Sequence, residues 1–326
     1  MNIATLHLTQ HKRFALRAHP NPSLTLRASF MLLTMILLTI SGCGGIKISY
    51  TSDIKAPNPA WEPLGMTIDR EGNIYITDRV LCVVHKFNNK FIYKGSIGEM
   101  GKPVGKLMVP LSVAVDDYGK IWVSDFGNAS ISCYNEKGSL IWSRGGNLFK
   151  EGDLEPVETT EVFPITIPEG ITSFDNAIFA SDSEANFIFK IKADGSYEKL
   201  IMNNALLYPE DVCYTPEGLL IADTGNTQII LPDGSSKEIK TKDGSVIIPH
   251  RVDVINDRAL VLGTYKNKKG LDKTVSVLIL MDKNYKTISE KILDPEETGD
   301  AIFLDSQRIA VSYPKISRVV VYSISK

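Results

Sequence analysis

Histidine and cysteine are scarce in this chain, and their scarcity removes whole classes of chemistry. Of five histidines and four cysteines, His7, His11 and His19 lie ahead of Cys43, so the segment beyond it carries only His85 and His250. Two imidazoles cannot build a three-histidine metal site. Past Cys43 the thiols are Cys82, Cys133 and Cys213, an odd number without CxxC spacing, which indicates neither a full disulfide framework nor a zinc knuckle. They read as buried thiols on strands, with one disulfide as the alternative. Phosphate loops, GxSxG elbows and HExxH helices are absent. The apolar run from Phe30 to Ile40 is too short to span a bilayer, which takes roughly 20 apolar residues. No basic excess exists either, so nucleic acid is not expected as a partner.

What stands before Cys43 is informative. Lys12, Arg13, Arg17 and Arg27 supply positive charge with no acidic residue among them, and the apolar run then leads through Ser41-Gly42 to Cys43. Positive start, apolar centre and small residues at the cut are the layout of a secretion signal. The run Leu38-Thr39-Ile40-Ser41-Gly42-Cys43 resembles the lipobox of bacterial lipoproteins, which implies residues 1–42 as a cleaved signal peptide and Cys43 as the lipidated first residue of the mature chain. Gly44 is not the Asp that commonly retains such proteins at the inner membrane, so the resemblance favours the outer membrane of a bacterial envelope. Cleavage moves the formal charge from −2 to about −6.

The remaining residues, 43–326, repeat. Pro63-Leu64-Gly65-Met66-Thr67-Ile68-Asp69-Arg70-Glu71-Gly72-Asn73-Ile74-Tyr75-Ile76-Thr77-Asp78 returns as Pro110 to Asp125, Pro168 to Asp182 and Pro209 to Asp223, and more weakly as Pro249 to Gly263 and Pro295 to Ser312. Each unit reads as a proline-led alternating strand, a turn containing Asp, Asn or Gly, and a second β-rich strand ending at the Asp. Two more strands follow, as in Ile131–Asn135 and Leu140–Ser143. Six such units predict an all-β, six-bladed β-propeller of four-stranded antiparallel blades. The last unit is one strand short, and Ile46-Lys47-Ile48-Ser49-Tyr50 is expected to supply it and close the ring, which removes a free sheet edge.

Asp125-Phe126-Gly127-Asn128 and Asp223-Thr224-Gly225-Asn226 resemble the turn of the NHL-repeat family, whose members are six-bladed propellers. The resemblance covers nearly all of residues 43–326. Asp182-Ser183-Glu184-Ala185-Asn186 departs from the turn, Asp78-Arg79-Val80-Leu81 lacks its Gly and Asn, and the basic residue usual after the Asn is missing.

In a propeller the proline-led strand lines the central channel, so the residues just after each proline surround one mouth. The polar ones are Glu169, Glu210, Asp211, His250, Arg251 and Asp300, which makes them the ligand-binding candidates. His250 beside Arg251 can serve as base and anion holder, although a salt bridge to Asp211 or Asp253 is the expected role. Converging carboxylates would suit calcium or magnesium, but the residues fix no cofactor. The insertion from Asn147 to Ile165 and the basic loop Lys266–Gly270 should project from the same side. Asp78, Asp125, Asp182 and Asp223 are expected to cap backbone N–H groups, and His85 to be a packing or surface residue.

Three enzyme families share this fold. Peptidyl-hydroxyglycine amidating lyases use several histidines that follow blade prolines, and only Pro249-His250 matches. Gluconolactonase-like propellers hold a divalent ion with Glu, Asn and Asp, which Glu169, Glu210, Asp211 and Asp300 imitate without the asparagines. Streptogramin-lyase-like propellers pair a histidine base with a metal-bound carboxylate, for which His250 with Glu210 is the counterpart. The sequence compels none of these reactions. It is read as a lipid-anchored binding or scaffold module for a protein, peptide or glycan, with a metal-assisted lyase or lactonase at the channel mouth as the alternative.

Overall fold

The computed structural model describes residues 45–326 apart from 103, 146–163, 193–194, 201, 203–204, 267–273 and 294–296. Cys43, the segment ahead of it, nearly all of the 147–165 insertion and most of the 266–270 loop lie outside the described residues. Those described form six antiparallel sheets arranged as a six-bladed propeller, five with four strands and the fifth with an added two-residue strand, Ile239–Lys240. Proline leads the inner strands of the first four blades, Pro63–Ile68, Pro110–Val115, Pro168–Phe174 and Pro209–Thr215. The fifth inner strand, Val246–Ile255, carries Pro249 inside it, and the sixth, Ala301–Asp305, begins without a proline.

The pairing Pro63↔Asp78 recurs as Pro110↔Asp125, Pro168↔Asp182 and Pro209↔Asp223, which puts every one of these carboxylates at the same end of its blade, here called the top. As expected, they cap. Asp125 accepts the N–H groups of Met108 and Val109, Asp182 those of Thr166, Ile167 and Ala185, and Asp223 that of Leu207. The hydroxyl residue just ahead of the Asp, or of Tyr313 in the sixth blade, has a duty that crosses the seam between blades. Thr77 donates to Leu111 O, Ser124 to Glu169 O and Ser312 to Leu64 O. A backbone carbonyl buried between sheets would otherwise lack a partner, at a cost of about 1 to 3 kcal/mol.

In the fifth blade Pro249 pairs with Gly263, and the hairpin continues past that pair to Ile248↔Thr264. Strands Arg258–Lys266 and Thr274–Met281 share the extension. This blade therefore rises by about three residues, or roughly 10 Å, above the point where the others turn.

Closure occurs as expected and runs further than Tyr50. Lys47–Ile54 is the outer strand of the sixth blade and pairs antiparallel with Arg318–Ser325, from Lys47↔Ser325 to Ile54↔Val319. Ile54 packs with Trp61, Ile76, Val319 and Val321, all buried. Cys82, Cys133 and Cys213 are buried free thiols. We expect Ile54→Ala to destabilise the protein by about 2 to 5 kcal/mol through the cavity it leaves. Tyr50→Ala, at a side chain 59% exposed, should change stability by less than about 0.5 kcal/mol. Denaturant unfolding of the two variants checks the contrast.

Candidate functional site

The inner strands enclose an axial channel of about 270 Å³ lined from all six blades. At its top, the second residue after each blade proline or its equivalent forms a layer of Gly65, Ser112, Gly170, Asp211, Arg251 and Asp300. Three consecutive blades contribute almost no side chain. The other three place an arginine between two aspartates.

Arg251 reaches across this layer. Its Nη1 lies 3.6 Å from Glu210 Oε2 and 3.9 Å from Glu169 Oε2, and donates to the carbonyl oxygens of His250 and Glu210. The attraction of Asp211, Glu169, Glu210 and Asp300 outweighs the burial that works against its charge, and its pKa is raised. Burial pushes Glu169 up, against the pull of Arg251. It also pushes up Asp211 and Asp300, again against Arg251.

His250 sits at the rim with both ring nitrogens engaged. Nδ1 is 2.9 Å from Glu210 Oε2 and Nε2 is 2.8 Å from Thr264 Oγ1. A carboxylate only accepts, so Nδ1 donates to Glu210, while Nε2 shares a hydrogen bond with the threonine hydroxyl, which can donate or accept. Thr264 reaches this position because the fifth blade extends beyond Gly263.

The structure thus brings Glu169, Glu210, His250 and Arg251 together and corrects the expected partners. His250 pairs with Glu210 and Thr264, and Arg251 bridges Glu210 and Glu169, whereas Asp211 and Asp253 are committed elsewhere. Nor are Asp211 and Asp300 solvated at the mouth. Both are buried, and each accepts a backbone N–H from the next blade: Asp211 from Val252 at 2.9 Å and Asp300 from Met66 at 2.7 Å. An inner strand at a blade seam has donors that its own sheet cannot satisfy, and these carboxylates do so. Asp253, expected only as a salt-bridge partner, makes the same link one layer down, accepting from Phe303 at 2.6 Å. Burial raises its pKa to about 7, and Asp300 adds to the shift. Gly170 is required here, because a Cβ would overlap Asp211 Oδ1. His85 is also more than packing: it is buried, with Nε2 3.1 Å from Asp78 Oδ2.

A divalent ion at the hub is the cofactor that the resemblance implied, and the residues do not fit it. Among the described residues no three His, Cys, Asp or Glu side chains are grouped to hold a metal. Asp211 and Asp300 spend oxygen lone pairs on backbone N–H groups, and the remaining negative charge is met by a guanidinium. The chemistry open to the site is proton exchange at His250 and hydrogen bonding to Glu169, Glu210 and Arg251.

No family model matches this chain. Among curated proteins, a 97-residue stretch is 36% identical to peptidyl-alpha-hydroxyglycine alpha-amidating lyase 1 of Drosophila melanogaster, covering 27% of this chain and only 17% of that protein. A streptogramin B lyase structure superposes with a TM-score of 0.56 at 14% identity, covering 86% of this chain and 98% of the other. A gluconolactonase of Xanthomonas campestris gives 0.57 at 11% identity, with coverages of 88% and 99%. At such identities the likeness shows the six-bladed fold, and propellers of this fold include lyases and gluconolactonases.

Three outcomes are expected. Arg251→Met should destabilise by about 3 kcal/mol by stranding the carboxylates around it, and by less in a Glu169→Gln/Glu210→Gln background, where two of the four are neutral; chemical denaturation of the four proteins gives the coupling. Calcium or magnesium at millimolar concentration should leave the melting temperature unchanged. Because the folded state holds the Asp253 proton to about pH 7, its contribution to stability is full below about pH 4 and is lost as pH rises through 7. Melting temperatures from pH 5 to 8 should therefore decline less in Asp253→Asn than in the unsubstituted protein.

Proposed function

We propose that this protein is a lipid-anchored propeller of the bacterial envelope, with Cys43 as the anchor and the outer membrane as its destination, and that its top mouth binds a protein, peptide or glycan partner. One observation carries the binding reading. The charged mouth is ringed, on the same face, by exposed apolar side chains at blade turns: Val80, Phe126, Leu207, Tyr208 and Ile316. Leaving such groups in water gains nothing for the fold, whereas a polar centre inside an apolar rim supplies both orientation and contact area to a partner.

A second reading, proton-transfer chemistry of the lyase or lactonase kind, is favoured by a different observation. The alignment of Glu210, His250 and Thr264 fixes an imidazole at a partly open rim, as a general base requires. The fold shared with a streptogramin B lyase and a gluconolactonase supports this reading.

The test uses the soluble form beginning at Gly45 to capture partners from envelope extracts, beside Phe126→Ser/Tyr208→Ser and His250→Gln variants of unchanged melting temperature. The binding reading expects one partner to be enriched by the parent and lost by at least about tenfold, or 1.4 kcal/mol, in the rim variant. Partner retention by the rim variant overturns it. Turnover of a lactone or of streptogramin B that His250→Gln abolishes would instead establish the second reading.

A further inference from the structure

The direction of the closing strand bears on which way the mouth points. Asp305↔Arg308 marks the lower end of the sixth blade, where its first two strands turn, and Arg308 pairs with Ser323 in the next strand. Ile324 N–H donates to Gln307 O in that same turn. Lys47 pairs with Ser325 at this lower end, and the strand climbs to Ile54, where Arg318 meets Asp53 near the top. The chain therefore enters the propeller on the face opposite His250 and Arg251. In sequence Cys43 stands four residues ahead of Lys47, a reach of at most about 14 Å.

The lower face carries a second feature. Tyr118, 67% exposed in the Asp116–Lys120 turn, accepts a hydrogen bond from Asn176 of the next blade, and Phe174, 44% exposed, stacks on Tyr214 of the blade after that with ring centroids 3.6 Å apart. These aromatics span blades two to four. The tethered strand is in blade six, on the other side of the axis. Tyrosine and its neighbours of mixed polarity are well suited to the headgroup layer of a bilayer.

We propose that the lower face of the propeller rests on the lipid bilayer, held at one side by the acyl chains on Cys43 and at the other by Tyr118 and Phe174, so that the mouth with Glu169, Glu210, His250 and Arg251 faces away from the membrane. The proposal rests on the lipid-anchor reading above. One short tether sets a maximum distance and leaves tilt free. A second contact across the axis sets the tilt, and the inner strands then hold the mouth about 20 Å above the lower face.

The acylated protein, purified from membranes and reconstituted in phosphatidylcholine–phosphatidylglycerol vesicles with an acceptor dye on the headgroups, provides the test. A donor dye is attached at Lys137→Cys, in an exposed lower turn, or at Glu184→Cys, in an exposed upper turn; Cys82, Cys133 and Cys213 are buried. Energy transfer should be about twofold stronger from position 137, as a height difference near 20 Å requires. In a Tyr118→Ser/Phe174→Ser background the difference should shrink while membrane association persists. Equal or stronger transfer from position 184 overturns the orientation, and an unaltered difference in the double variant overturns the aromatic contact. The mass of the N-terminal peptide separates the two levels: an unmodified Cys43 on protein left in the aqueous phase defeats the anchor itself, whereas an acylated Cys43 with the mouth towards lipid defeats only the orientation.

Discussion

A wheel of sheets is held together at its seams. Within a blade backbone hydrogen bonds link each strand to the next, but the inner strands also face strands of the neighbouring blade with which they form no ladder, and buried donors and acceptors there need other partners. The chain meets this demand with side chains. Hydroxyls on the second strands, at Thr77, Ser124 and Ser312, reach carbonyls of the adjacent blade. Acceptors on the inner strands take N–H groups of the next blade, as Ser112 does from Ile171, Asp211 from Val252, Asp253 from Phe303 and Asp300 from Met66.

That constraint explains the electrostatics of the hub. Using carboxylates for the last three seams brings negative charge into the channel, where desolvation is costly. Two remedies coexist. Part of the charge is avoided by proton retention, to about pH 7 in Asp253. Part is matched by Arg251, whose planar, permanently charged group serves several carboxylates at once, as a lysine ammonium would not. The mouth is thus a compensated network whose half-buried members are Glu169, Glu210 and His250.

Much of the architecture was legible because the propeller repeats. Proline, alternating strand, turn and terminal Asp recur at similar spacing, and the missing strand of the last unit was found at Lys47–Ile54 because the count was one short. Positions could be read; partners could not. Asp211 and Asp300 follow blade starts as Glu169 and Glu210 do, yet one pair is spent on neighbouring backbone and the other faces the mouth. The difference lies in which residue of a strand points along the axis and which across a seam, and that depends on packing between blades. A clue existed for Asp253, an acidic residue amid the apolar alternation of Val252, Val254 and Ile255, where an unpaired charge would not be tolerated. Thr264 gave none, because its role arises from a hairpin that outruns the repeat.

The seam acceptors of blades two to six also run in one direction, each gripping the backbone of the next blade. Blades four to six do so with carboxylates and blades two and three with hydroxyls. The repeats are therefore not interchangeable parts. Transplanting the fourth unit into the place of the second would put an aspartate where no arginine stands beside it, and inserting a unit on either side of the fifth would separate Arg251 from one of its flanking acids. The order of the last three units is in this way tied to a charge pattern at the hub.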